Sequence, residues 1–292
     1  MIQIDKSKCT NCMICRSVCT RCVFGFVSGS GVEREVEIRY PENCYACGHC
    51  VSICPADAIS HDDLSDDGFR ELQPIDISSD SMRNLLLSRR SMSKYKPDPV
   101  PDDLVEKLLE VAIHAGTSSN GQGEGFIIIR DQKILSELET SVIDILWDAG
   151  LKYLGSDGLM AKLFTKKYGE EMMEQYRVYS RMITHRRENN TLKGMIFQNA
   201  PLVIAVHSVK SNSLGAANCS LAIRNMEILA LTLGLGACWA GKLVVAAGKS
   251  SRINEILGLG KDRQIHGALM VGYPQFEYKR MIPRREREVR WL

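Results

Sequence analysis

The chain has 292 residues, 45% hydrophobic and 25% charged, with a net charge of +2 at neutral pH. Length and composition suit two ordinary globular domains and exclude a disordered or fibrous chain. The near-neutral balance gives no case for a nucleic-acid partner, and no apolar run reaches the roughly 18 residues of a membrane span. Met1-Ile2-Gln3-Ile4-Asp5 lacks the basic-then-apolar order of a signal peptide, so a soluble cytoplasmic protein is expected.

Nine of the eleven cysteines fall within the first 54 residues, a local and therefore chemical usage. Cys9, Cys12, Cys15 and Cys19 read C-x2-C-x2-C-x3-C. Cys44, Cys47, Cys50 and Cys54 repeat the spacing and close on Pro55, where the first run has Thr20. Three closely spaced thiolates grip one face of a cubane cluster, and the fourth of each run ligates the other cluster. Cys9, Cys12, Cys15 and Cys54 are therefore expected on one [4Fe–4S] centre, and Cys44, Cys47, Cys50 and Cys19 on a second. Zinc sites use C-x2-C pairs across a spacer, and disulfides need an oxidising compartment, so both fit the pattern less well. Cys22 is read as a spare buried thiol, and His49 as a turn residue. Residues 1–60 resemble the two-cluster bacterial ferredoxins. Within them, residues 23–27 and 32–38 predict a hairpin around Ser28-Gly29-Ser30-Gly31. Residues 61–80, with Asp62, Asp63, Asp66 and Asp67, predict a solvated linker.

A second domain is expected over 81–292. Residues 82–88 suggest a short helix, followed by Arg89-Arg90-Ser91. Asp102 is expected to cap an amphipathic helix with Leu104, Leu108, Val111 and Ala112 on its inner face. A polar loop over 116–123 leads to a short buried strand at 126–129 and a helix over 131–149. Residues 150–196 read as helical without a strong apolar stripe. The core pattern then resumes with a strand at 201–207, a helix at 216–233, a glycine-rich bend at 234–241, a helix at 249–257 and a last strand at 268–272. The tail is basic, with Lys279, Arg280, Arg284, Arg285, Arg287 and Arg290. His114, His207 and His266 are read as core histidines, and Cys219 and Cys238 as small buried residues.

The chemistry of this half is spread out. The Arg89-Arg90-Ser91 triplet offers guanidinium forks and a hydroxyl, groups that suit a phosphate. Asn120-Gly121-Gln122 sets amides on a loosened loop, and Gly234 to Gly241 lets the backbone approach a flat ligand. With Ala200-Pro201-Leu202-Val203-Ile204 and Gly272-Tyr273-Pro274, in this order, they resemble the FMN-dependent nitroreductase family. The resemblance covers about residues 82–292. It implies an α+β fold, a central mostly antiparallel sheet wrapped by helices, following the small ferredoxin-like two-cluster domain. It also implies a homodimer with FMN at the interface. It puts Arg89, Arg90, Ser91, Arg284 and Arg285 at the FMN phosphate, Asn120 along the ribityl chain or ring edge, and the backbone at Ala240 and Gly241 near the flavin N5. Ser93, Gln122 and Trp239 complete the expected flavin-contacting set. Ser93 departs from a second basic residue, and Gly116, Gly123 and Glu124 replace prolines and a tryptophan of the family pattern, which implies an unusual substrate pocket. The family carries a variable helical insertion where 150–196 falls, making Tyr153, Tyr168, Tyr176, Tyr179, Arg181 and Arg186 candidate substrate contacts on a lid.

Fusion of the two halves implies a ferredoxin-coupled FMN-dependent oxidoreductase. Electrons would pass from two [4Fe–4S] clusters to FMN and on to a small electron-poor molecule: a nitroaromatic, quinone or activated alkene. The electron donor would be a redox protein, or NAD(P)H admitted over the flavin. The alternative is an electron-transfer relay between redox proteins. No residue is assigned a catalytic role, since the cofactors carry the chemistry.

Overall fold

The computed structural model describes every residue except 30–31, 66–67 and 155–157. Ser30 and Gly31 of the expected turn, and Asp66 and Asp67 of the expected linker, lie outside the described residues. The chain divides into two compact units: Met1–Ile77 with Thr117–Gln122, and Ser78–Gly116 with Gly123–Leu292.

In the first unit, β1 (Ile2–Ile4) is followed by helix α1 (Ile14–Val18), the antiparallel pair β2 (Phe24–Gly29) and β3 (Val32–Ile38), helix α2 (His49–Ser52) and β4 (Ile59–His61). β4 returns antiparallel to β1, with Ile2 opposite His61 and Ile4 opposite Ile59. Ile2, Val23, Phe24, Val36 and Ile59 make a small core around Cys15. So few apolar side chains leave the unit short of buried surface, the usual condition for a domain held together by metal.

The second unit is built on a four-stranded antiparallel sheet of β5 (Gly125–Ile129), β6 (Leu202–Val209), β7 (Gly236–Trp239) and β8 (Arg263–Gly272), in the order β5-β6-β8-β7. Its helices are α3 (Ser79–Ser88), α4 (Asp102–Ile113), α5 (Gln132–Asp148), α6 (Leu159–Tyr168), α7 (Glu170–Glu188), α8 (Gly215–Thr232), α9 (Gly241–Ala247) and α10 (Arg252–Ile256). On β6 the side chains alternate between two cores. Val203 and Ala205 pack with α5, α9 and α10, while Leu202, Ile204 and Val206 pack with α4 and α8. A strand covered on both faces reads as a continuous apolar run, as β6 does. α8 lies so close to β8 that a Cβ at Gly267 would collide with Ile223 Cδ1. Asp131 caps α5, accepting from Lys133 N at 2.7 Å and Ile134 N at 3.4 Å.

Several expectations need correcting. Asp102 is not a cap: Pro101 holds that position, and the Asp102 carboxylate pairs with Arg130. The buried face of α4 is Val105, Leu108 and Ala112. The strand expected at 126–129 is an edge strand with only Ile129 buried. The expected bend at 234–241 contains β7, because Gly236 to Trp239 find ladder partners from Gly272 to Leu269. The helix expected at 249–257 is α10 alone, and α9, which opens at Gly241, was missed. β8 begins at Arg263 rather than at residue 268. His114 is exposed at the end of α4, whereas His207 is buried and accepts from Arg263 Nε at 2.8 Å. No helix among the described residues is long and apolar enough to cross a membrane.

Candidate functional site

The two cysteine runs share one backbone. Asn11 and Met13 take left-handed φ of 53° and 63°, and the equivalent Ala46 and Gly48 take 50° and 76°. Such turns wrap the loop so that successive thiols face inward, and only Gly48 adopts its turn without strain. The equivalence continues past the fourth cysteine. Cys22 has φ 56° and donates its N–H to Cys19 O, and Asp57 has φ 46° and donates to Cys54 O. Cys22 thus stands where the other repeat has an aspartate, a turn residue. It is exposed, not buried as expected.

Cys9, Cys12, Cys15 and Cys54, the set expected on one centre, line a single small cavity with Ile4, Val36 and Ile59. Burial, together with the neighbouring Cys12 and Cys9, raises the Cys15 thiol pKa. Cys50 is pushed up to about 11, first by burial and then by Cys47 and Cys44. Buried thiols so close resist ionising together, and a cationic iron core would relieve that. His61 is an addition. It is buried, its Nδ1 accepts from Asp63 N at 3.1 Å, and so its Nε2 carries the hydrogen that faces Cys44 Sγ at 3.5 Å. Asn120 also belongs to this unit, donating from Nδ2 to Ala46 O at 3.0 Å and Tyr45 O at 3.4 Å. Gln122 is exposed beside it.

In the second unit a cavity of about 630 Å³ opens against the β7–α9 turn. Its lining includes Ser93, Cys238, Trp239, Ala240, Gly241 and Lys242 together with Phe164, Tyr168, Met172, Tyr176 and Tyr179 of α6 and α7. Ala240 donates its N–H to Ala268 O at 2.8 Å, and a Cβ added at Gly241 would meet open space. Cys238 is half-buried on the cavity wall, not sequestered. Burial raises its pKa, against a hydrogen bond from Ser91 that lowers it. Arg89 pairs with the buried Glu227 at 3.7 Å. Arg90 donates from Nη1 to Leu87 O and Arg89 O, and its buried Nε has no partner among the described residues. A buried guanidinium donor left open suits an anionic oxygen such as a phosphate. Arg284 and Arg285 lie exposed in the irregular tail.

Of the candidate lid contacts, Tyr168, Tyr176 and Tyr179 line the cavity. Tyr153 is exposed, Arg181 pairs with Glu174, and Arg186 bonds Thr191 O. Ser180 Oγ donates to Leu151 O at 2.7 Å, and Arg187 pairs with Asp144 while lying over Trp147, so α7 is locked onto α5. Lys242 carried no sequence signal beyond a charge next to a glycine.

A model of the nitroreductase family matches residues 86–273 of this chain. The chain belongs to the nitroreductase family. A 4Fe-4S dicluster model matching residues 8–59 marks an N-terminal ferredoxin-type domain. This nitroreductase is 25% identical to an NADPH-dependent oxidoreductase of Staphylococcus aureus over 181 residues, which is 62% of this chain and 60% of that one. Its fold resembles a nitroreductase with bound FMN from Desulfitobacterium hafniense, at 17% identity and a TM-score of 0.52 over 72% of this chain and 98% of that one. An FMN-dependent nitroreductase from Clostridium difficile is similar at 16% identity and a TM-score of 0.51, covering 73% of this chain and all of that one.

Proposed function

We propose that the protein takes single electrons at two [4Fe–4S] clusters, gathers them at FMN and reduces a small electron-poor molecule, such as a nitroaromatic, quinone or activated alkene. Clusters exchange one electron at a time, and FMN, when bound, converts such input into two-electron chemistry. The functional division would follow the sequence, with cluster binding over 1–60, a connection over 61–80 and flavin binding over 81–292, of which 150–196 supplies the lid. Cys9, Cys12, Cys15 and Cys54 would hold one cluster, and Cys44, Cys47, Cys50 and Cys19 the other. In the reductase unit Arg90 is the phosphate-facing group, and Gly241 admits the flavin ring edge.

The observation that carries the reading is the cavity lined both by the β7–α9 turn and by Tyr168, Tyr176 and Tyr179. An apolar chamber of this size fits small-molecule chemistry better than relay to a second protein, which needs an open edge. The S. aureus relative's name supports NADPH as a donor, alongside a redox protein. Exposed Leu86, Leu87, Phe276, Tyr278, Met281 and Trp291 support the homodimer, since large apolar side chains left to solvent gain from cover. Cytoplasmic placement agrees with the free cysteines.

The test is an anaerobic titration of reconstituted protein with dithionite or reduced ferredoxin, and separately with NADH and NADPH, following flavin and cluster absorbance. Clusters that reduce before or with the flavin, and are reoxidised by a nitroaromatic, support the proposal. Flavin bleached by nicotinamide while the clusters stay oxidised refutes the internal route.

A further inference from the structure

The reductase cavity is lined by two lysines and, among the described residues, by no acid. Lys249 is exposed. Lys242, at the start of α9, is half-buried, and its Nζ lies over the Tyr179 ring, 4.4 Å from the centroid. No ion pair or hydrogen bond holds that ammonium among the described residues. Arg186 adds positive potential from α7, and its Nη1 is engaged by Thr191 O. The carboxylate felt at Lys242, Glu139, already accepts from Gly194 N, Ile196 N and Phe197 N at 2.8, 2.6 and 3.4 Å. A desolvated cation without a counter-ion is costly, and here the missing anion has to come from whatever enters the chamber. The rest of the lining is aromatic or thioether: Phe164, Tyr168, Tyr176, Met172 and Met270.

We propose that the cavity selects flat aromatic molecules bearing a carboxylate, with Lys242 pairing with the anion while Tyr168, Tyr176 and Tyr179 cover the ring. This names the substrate class of the site and rests on its reading as the flavin chamber. A neutral nitroaromatic or quinone would fill the same space but leave Lys242 unpaired, so acidity of the substrate, rather than its electron deficiency alone, decides binding.

The experiment compares 4-nitrobenzoate with its methyl ester, two probes alike in ring and nitro group but not in charge. Dissociation constants come from the perturbation of flavin absorbance in the reconstituted protein. Wild type is expected to hold the acid 10- to 100-fold tighter than the ester, about the worth of one charge-assisted hydrogen bond. Lys242→Met should bring the acid down to the ester's affinity, with flavin content and ester affinity within about twofold of wild type, and Lys242→Arg should restore most of the preference. Equal affinities in wild type overturn the proposal, as does a preference that survives in K242M. Loss of FMN from K242M also overturns it, by making the lysine a flavin ligand. If wild type retains no FMN, the flavin reading itself fails, and equilibrium dialysis of the two probes against the flavin-free protein still decides whether the acid is preferred.

Discussion

Replacing Glu139 tests how the cavity wall is held. Glu139 is 8% exposed on α5, and it accepts from three successive-region amides, Gly194 N, Ile196 N and Phe197 N. The loop it organises carries left-handed residues at Asn190, Gly194, Gln198 and Asn199 and supplies Met195, Ile196 and Gln198 to the cavity. Each non-glycine residue in that conformation carries roughly 1 kcal/mol of strain or more, so the carboxylate bonds have to offset it. In Glu139→Gln, Oε1 still faces two amides as a neutral acceptor, while the new amide presents a donor to Gly194 N. Weakening two charge-assisted bonds and setting donor against donor should cost about 3 kcal/mol. The assay is urea unfolding followed by tryptophan fluorescence, since Trp147, Trp239 and Trp291 all lie in this unit. The exposed Glu137→Gln on the same helix should stay within about 0.5 kcal/mol of wild type. If E139Q matches E137Q at an unchanged m-value, the carboxylate is not what holds the loop.

The cluster assignment predicts that Cys22→Ser keeps the full iron and sulfide content, whereas Cys19→Ser and Cys54→Ser each lose about half of it on chemical assay. His61→Phe removes the donor facing Cys44 Sγ and should make the potential of the cluster on Cys44 more negative by roughly 40 mV, the equivalent of about 1 kcal/mol, read by EPR-monitored redox titration. Affinity for 4-nitrobenzoate should be flat through neutral pH and fall as pH rises through the Lys242 pKa. Burial first, and Arg186 next, hold that pKa below the ordinary 10.5, against the upward pull of Glu139 and Cys238. The sign follows because only the protonated lysine pairs with the acid, which is ionised throughout that range; a profile flat to pH 10.5 refutes it.

What was legible in the sequence is what local chain geometry encodes. The cysteine spacing fixes which thiols share a loop, and the structure places Cys54 of the second run with Cys9, Cys12 and Cys15 of the first. The continuous apolar run of β6 and the helix α5 were likewise written in a few neighbouring residues. What escaped depends on distant partners. Gly236 to Trp239 looked like a bend because four residues beside glycines show no period, and only pairing with β8 makes them a strand. Glu139 cannot be told from Glu137 in the sequence, since burial is decided by a loop some 55 residues away. The bonds from the Asn120 amide to the Tyr45 and Ala46 carbonyls span 74 residues or more, and no local pattern signals them.

The lid gives the last step of the argument between reductase and relay. α7 is fixed at its far half by Ser180 on Leu151 O and by Arg187 on Asp144 and Trp147. α6, in contrast, ends on Gly169 with φ of 84° and turns Leu159, Met160 and Leu163 to solvent. Its inward face presents Phe164 and Tyr168, stacked 6.2 Å apart, to the cavity. An anchored α7 beside a more exposed α6 supports entry of a small molecule, because a substrate enclosed on both faces needs one of them to open. A relay gains nothing from such a cover: aromatic and thioether side chains between a flavin and a docking protein only lengthen the electron's path. The same cover, lined by no acid among the described residues, is what would leave Lys242 to select an acidic substrate.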